Sequence, residues 1–115
     1  MSDRARIISV IPVYNGERFI RAALDSLAAQ TLRPDRVIVL DDASTDGTSQ
    51  LVETYEPLDC ELIRSEKNEG LFKNFNQALS YATECDFLHY ICADDVLLPG
   101  FMERMTAALT DAPAP

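Results

Sequence analysis

Val37-Ile38-Val39-Leu40-Asp41-Asp42-Ala43-Ser44-Thr45-Asp46-Gly47-Thr48 is the stretch that decides the fold. Its opening apolar run, rich in β-branching, suits a strand covered on both faces, and it stops at two adjacent carboxylates. A small, turn-forming run follows, and then Leu51, Val52 and Tyr55 recur at helical spacing. A buried strand that gives way to acids at its carboxyl end points to the open α/β class. In such sheets ligands sit in the crevice outside those strand ends.

The same alternation recurs on either side. Residues 7–11 (Ile-Ile-Ser-Val-Ile) read as a first strand, which Pro12 should end because proline cannot donate to a ladder. A loop over residues 13–16 leads to a helix from Glu17, with Phe19, Ile20, Ala23, Leu24, Leu27 and Ala28 on one face, closed before Pro34. Asp46 or a neighbour is placed to cap the second helix, and Pro57 ends it. Cys60–Arg64 reads as a third strand and Asn68-Glu69-Gly70 as a turn. Leu71, Phe72, Phe75, Ala78, Leu79 and Ala82 then trace an apolar helix face. Residues 86–92 form a fourth strand that again runs into acids, Asp94 and Asp95. Pro99, at a first helical position, opens a last helix carrying Phe101, Met102, Met105 and Leu109.

Repeated strand–helix alternation predicts an α/β fold, an open, mainly parallel sheet with helices on both faces. One domain is expected over residues 1–110, with residues 111–115 a flexible tail. Right-handed crossovers place every strand's carboxyl end on one edge. Residues 12–15, 41–44 and 92–95 therefore converge there as an acidic, partly aromatic cleft.

Composition bounds the function. The 115 residues carry 47% hydrophobic and 25% charged side chains, an ordinary globular balance. A net charge of −9 argues against a nucleic-acid-binding surface, which needs clustered Lys and Arg. It leaves room for a phosphorylated small molecule, provided a divalent cation bridges carboxylates and phosphate. Cys60, Cys85 and Cys92 lack the spacing of a disulfide framework or zinc knuckle, and a reducing cytosol fits best. No apolar segment reaches the length of a membrane span.

Carboxylates at neighbouring strand ends suit hard-cation chemistry. Asp94 is the preferred ligand for Mg²⁺ or Mn²⁺, with Asp95 supporting it; the plainer alternative is that both acids simply precede a helix N-terminus. Asp41 and Asp42 could accept hydrogen bonds from a nucleobase or ribose, or could bond their own turn. Tyr14 could stack on a base. Glu17 could face a ligand, though an acid in a helix's first turn is routine. His89 lies in an apolar run and reads as a core histidine, and Cys92 as a small buried hydrophobe. No G-x-G-x-x-G follows the first strand and no G-K-[ST] occurs, so dinucleotide and P-loop readings lose support.

Several segments together carry a resemblance. Residues 8–17 (Ile-Ser-Val-Ile-Pro-Val-Tyr-Asn-Gly-Glu), 39–48 (Val-Leu-Asp-Asp-Ala-Ser-Thr-Asp-Gly-Thr), 68–70 (Asn-Glu-Gly) and 93–99 (Ala-Asp-Asp-Val-Leu-Leu-Pro) resemble family 2 glycosyltransferases of the GT-A fold, in order and spacing. The resemblance implies a Rossmann-like nucleotide-sugar-binding half of an inverting enzyme of cell-surface polysaccharide synthesis, cytoplasmic or peripheral at the inner face of the membrane. It implies that Pro12, Val13 and Tyr14 line the base pocket with Glu17 and Ala93 nearby. It also implies that Asp41 bonds the base, that Asp42 lies near the ribose, and that Asp94, with Asp95, holds Mg²⁺ or Mn²⁺. A UDP- or dTDP-sugar is the implied donor, and a glycan or lipid-linked sugar the acceptor. Two departures stand out. The family's D-x-D position reads Cys92-Ala93-Asp94, and the place where an Arg often follows the N-x-G turn reads Asn74-Phe75-Asn76, with Lys73 nearby. The general base is expected beyond Pro115, so the isolated chain should bind donor without turnover.

Two rival readings come from other classes. A phospho-receiver domain shares the size and class, but it needs an acid pair after the first strand, where this chain has Pro12-Val13-Tyr14. A non-catalytic scaffold is the other, and it should bind no nucleotide.

Overall fold

The structure, a computed structural model, describes residues 5–111. Four strands, β1 (Ile7–Val13), β2 (Arg36–Asp41), β3 (Cys60–Arg64) and β4 (Phe87–Tyr90), form one sheet in the order β3-β2-β1-β4. Every pairing is parallel, as expected for the α/β class. The helices are α1 (Ile20–Ala28), α2 (Thr48–Glu53), α3 (Leu71–Leu79) and α4 (Phe101–Asp111). The chain reverses its direction of travel across the sheet between β1 and β4, and that reversal opens the crevice where such folds take ligands.

Strand alternation sorts the core into two layers. Ile11, Val13, Val37 and Val39 face α1 and α2, meeting Ile20, Leu24, Leu27 and Val52. Ile8, Val10, Ile38 and Leu40 face the other way, toward Ala78 of α3. Burying each of the larger aliphatic side chains contributes about 1.5–3 kcal/mol, so β1 and β2 anchor the domain.

Several expectations are corrected. Pro12 does not end the first strand, which continues to Val13. The Arg6 and Val10 carbonyls bond toward β4, and the Ile7 and Val13 carbonyls toward β2. By that alternation the Pro12 nitrogen faces the β4 side, beyond the last paired residue Val10, where no ladder partner is required. The first helix opens at Ile20, not Glu17, because the Phe19 and Ile20 amides both fold back onto the Gly16 carbonyl. The fourth strand is shorter than residues 86–92 and keeps only Phe87–Tyr90. The last helix opens at Phe101, after Pro99, whose carbonyl instead accepts the Thr31 amide. It runs to Asp111; residues 112–115 of the expected tail lie outside the described residues.

The apolar face of α3 is the largest departure. Ala78 is buried, but Leu71, Phe72, Phe75 and Leu79 remain exposed, Phe72 at 88%. Ala82 falls in a separate 3₁₀ turn, Ala82–Glu84. Apolar periodicity reports a helix face; what covers that face is a separate matter.

His89 is the core histidine its setting suggests. Its Nδ1 lies 3.0 Å from the Ser9 hydroxyl, and its ring centroid 5.8 Å from that of Phe101. Burial holds its pKa below the ordinary value. The unfolded chain therefore takes up a proton near pH 6.5 that the folded chain resists, and stability falls as pH drops through that value, levelling off below the folded pKa. Thermal unfolding from pH 7.5 to 5.5 should show this loss, and His89→Gln should flatten it. Asp46 and Glu61, whose pKa values are lowered, act in a separate window, below about pH 4.5.

Candidate functional site

The stretch 37–48 proves to be a clasp. Asn15, at φ 50, donates its amide to the Ser44 hydroxyl at 2.8 Å, and its side-chain oxygen accepts the Thr45 amide at 2.8 Å. The Gly16 amide donates to Thr48 Oγ1 at 3.0 Å. Thr48 Oγ1 donates in turn to Asp46, which also accepts the Thr48 amide at 3.0 Å and the Glu17 amide at 3.3 Å. The N-cap of α2 is Gly47, which has no side chain to cap with; Asp46, one residue earlier, instead meets the first free amide of the helix. These bonds lock the loop after β1 against the loop after β2.

The two adjacent acids divide their work. Asp41, the last residue of β2, has a fully buried side chain; it accepts the Ser44 amide at 3.0 Å and pairs with Arg64 at 3.4 Å. Arg64 also donates to the Ser44 carbonyl at 2.7 Å and to the Ser49 hydroxyl at 2.9 Å. Asp42, one residue on, lies on the opposite side of the chain. Its two oxygens accept the Glu69 amide at 2.8 Å and the Gly70 amide at 3.0 Å. That pair of bonds sets the turn before α3 and holds Gly70 at φ 89, a conformation glycine adopts without steric cost.

Two cavities share a wall at the end of β1. The first, about 260 Å³, is lined by Pro12, Val13, Tyr14, Asp42, Asn68, Gly70, Leu71 and Asn74. The second, about 250 Å³, takes Pro12, Val13 and Tyr14 again, with Asn15, Phe19, Ala93 and Asp94. Residues distant in sequence therefore converge at the sheet's carboxyl edge. Gly16 is required here, because a Cβ would lie 2.4 Å from Val13 Cγ2.

Asp42, not Asp41, borders the cleft, although both are buried; a one-residue difference at a strand end decides which acid lines it. Glu17 does not join the site either. Its carboxylate lies over Gly47 at the start of α2 and lines a separate surface hollow with Gln50, Leu51 and Thr54. Asn74, Leu71 and Phe19 enter the lining unforeseen. The turn signal at 68–70 followed by a helix would have found the first two, because a helix launched from a cleft edge shows its first turn to the cleft.

After β4, Cys92 Sγ and the carboxylates of Asp94 and Asp95 lie within 4.8 Å of one another, all on exposed residues. A thiol and two acids at this spacing are a donor set that fits a divalent cation. Burial, with Asp95 and Asp94 close by, pushes the Cys92 thiol pKa up. Cys92 is exposed, so the reading of it as a buried hydrophobe does not hold.

A sequence profile described as "Glycosyl transferase family 2" matches residues 9–114. The chain belongs to glycosyltransferase family 2. Among relatives of this family-2 chain, EpsE of Bacillus subtilis is 30% identical over 112 residues, covering 95% of this chain and 40% of EpsE. Staphylococcus aureus TarS, solved with UDP-GlcNAc, superposes with a TM-score of 0.82 at 33% identity, over 92% of this chain and 31% of that one. The mannosyltransferase PcManGT of Pyrobaculum calidifontis, solved with GDP-Man and Mn²⁺, superposes with a TM-score of 0.75 at 30% identity, over 93% of this chain and 32% of that one. This family-2 chain thus spans well under half the length of these relatives, and it shares their GT-A fold.

Lys73 does not stand free to replace the family's Arg, since its ammonium pairs with Glu69 at 2.6 Å, one turn back on the helix. The turn after β2 also carries a cost. Ala43 sits at φ 63, a left-handed conformation that an L-residue with a Cβ adopts at about 1–2 kcal/mol. Ala43→Gly should relieve that strain, partly offset by the greater freedom glycine has when unfolded. The expected net gain is roughly 0.5–1 kcal/mol, read as a raised midpoint in chemical denaturation.

Proposed function

We propose that this chain forms the donor side of a metal-assisted, inverting sugar transfer from a nucleoside-diphosphate sugar to an acceptor hydroxyl. The observation that carries the reading is the pair of cavities that share the Pro12, Val13 and Tyr14 wall at the end of β1, one reaching Asp42 and the other Asp94. Pro12, Val13 and the half-exposed ring of Tyr14 offer a flat wall for a base. Asp42 retains lone pairs beyond those given to Glu69 and Gly70, and with them it accepts a base imino proton or ribose hydroxyl. Asp41 supports this from behind by fixing the turn. Asp94 and Asp95 hold a Mg²⁺ or Mn²⁺ ion beside the diphosphate. When bound, the ion neutralises charge that builds on the leaving group.

Inverting transfer also needs a base to take the acceptor's proton. We assign it to the region that the longer relatives possess beyond this one, so the 115-residue chain binds donor without turning it over. TarS with UDP-GlcNAc and PcManGT with GDP-Man support a nucleotide-sugar ligand; by the family resemblance, UDP- and dTDP-sugars are the favoured donors. No helix among the described residues is long and apolar enough to cross a membrane. We place the full-length enzyme in the cytoplasm, working at the inner membrane face on a glycan or lipid-linked acceptor.

The test is a thermal-shift screen of UDP, dTDP, GDP and ADP, each with and without Mn²⁺. A ligand that binds only the folded state raises the midpoint with the logarithm of its excess. A selective, Mn²⁺-enhanced shift by one diphosphate is the expected result. No shift with any of the four would favour a non-catalytic scaffold, and sugar transfer by this chain alone would overturn the donor-only assignment.

A further inference from the structure

Cys92 stands where the resemblance leads one to expect an acid, and the structure places its sulfur beside two carboxylates. Its sulfur is exposed and lies within 4.8 Å of carboxylate oxygens of both Asp94 and Asp95. A Cys two residues before a carboxylate at a strand end brings a soft donor into an otherwise hard set. Mg²⁺ binds oxygen and has little affinity for sulfur, whereas thiolate strongly favours Zn²⁺ and Co²⁺. We propose that Cys92 is a direct metal ligand in this chain and that it turns the ion site from a hard-cation site into a mixed thiolate–carboxylate one selective for Zn²⁺ or Co²⁺ over Mg²⁺. The proposal rests on the reading of Asp94 as the metal position and deepens it. As the sulfur–metal bond forms, the Cys92 S–H proton passes to solvent, so ion uptake by the wild type releases one proton more than uptake by a carboxylate-only site.

A bare preference for Zn²⁺ over Mn²⁺ proves nothing, because almost any donor set shows it. The sulfur has to be seen directly. Co²⁺ should be titrated into the chelator-treated 115-residue chain, with and without UDP, and followed by electronic absorption. The wild type is expected to develop a near-ultraviolet thiolate-to-cobalt charge-transfer band that added Zn²⁺ abolishes. Cys92→Ser should lose the band and bind Zn²⁺ at least about tenfold more weakly, with Mg²⁺ affinity changed less than about twofold. Cys92→Asp should raise Mg²⁺ and Mn²⁺ affinity. The double variant Cys60→Ser/Cys85→Ser should keep the band, and far-ultraviolet circular dichroism should show every variant folded.

A band that survives in Cys92→Ser, or Co²⁺ binding with no band, overturns the thiolate ligand and leaves the carboxylate site standing. Failure of every divalent ion to bind, with or without UDP, overturns the Asp94 reading and the Cys92 proposal together. A band retained in Asp94→Ala supports Cys92 and removes Asp94 from the ion.

Discussion

Asp42→Ala is expected to destabilise the domain by about 3 kcal/mol, since it leaves the Glu69 and Gly70 amides without their charged acceptor. Asp42 is only 2% exposed, so water reaches those amides poorly once the carboxylate has gone. The same substitution should abolish the nucleotide-induced thermal shift, because the turn it releases lines the first cavity together with Asn68 and Gly70. Urea unfolding reads the first effect and the diphosphate screen the second. Asp42→Asn separates them: its amide oxygen still takes one backbone donor, so much of the stability should return. Binding should stay impaired if a base imino proton needs a carboxylate opposite it. Full binding by Asp42→Asn would show that Asp42 shapes the cleft without touching the ligand.

Asp94→Ala should behave in the opposite way. Asp94 is exposed and lies in a loop, so its loss should leave the unfolding midpoint within roughly 0.5 kcal/mol of wild type. A nucleotide–Mn²⁺ pair at about a hundredfold excess over its Kd adds about 2.7 kcal/mol of stability. Asp94→Ala should erase the metal-dependent share of that gain and leave the share nucleotide supplies alone. Isothermal titration with UDP, with and without Mn²⁺, measures the split. An unchanged Mn²⁺ effect would remove Asp94 from the ion.

How far the sequence could be read depends on how local each signal is. Ile7, Ile8, Val10 and Ile11, and again Val37 to Leu40, announce buried parallel strands because both of their faces are apolar, and neighbours in sequence suffice to show it. The acids after β2 and after β4 mark the sheet's carboxyl edge for the same reason. What could not be read is any property set by a partner distant in sequence. Asp41 and Asp42 are identical as a dipeptide; they part only because β2 pairs with β1 as far as Asp41 and pleating turns the next residue the other way. Glu17 looked available to a ligand until the clasp from Asp46 and Thr48 drew its loop over α2. The α3 stripe was legible as a stripe, yet Phe72 and Leu71 lie open to solvent. Cys92 read as a hydrophobe because residue type alone says nothing of the two carboxylates beside its sulfur.

Pro12 lines both cavities, and its nitrogen looks across the gap that β4 leaves when it stops pairing. Any other residue there would aim an N–H into the crevice, a standing donor that water or ligand would have to satisfy. With an imino acid in place the floor of the crevice offers no backbone donor at that point, and side-chain recognition falls to the rims: a carboxylate on one side, a thiol and two carboxylates on the other. Replacing Pro12 with alanine would add one backbone donor to the lining of the cleft. Ligand selectivity should change even though Asp42, Cys92, Asp94 and Asp95 are all unaltered.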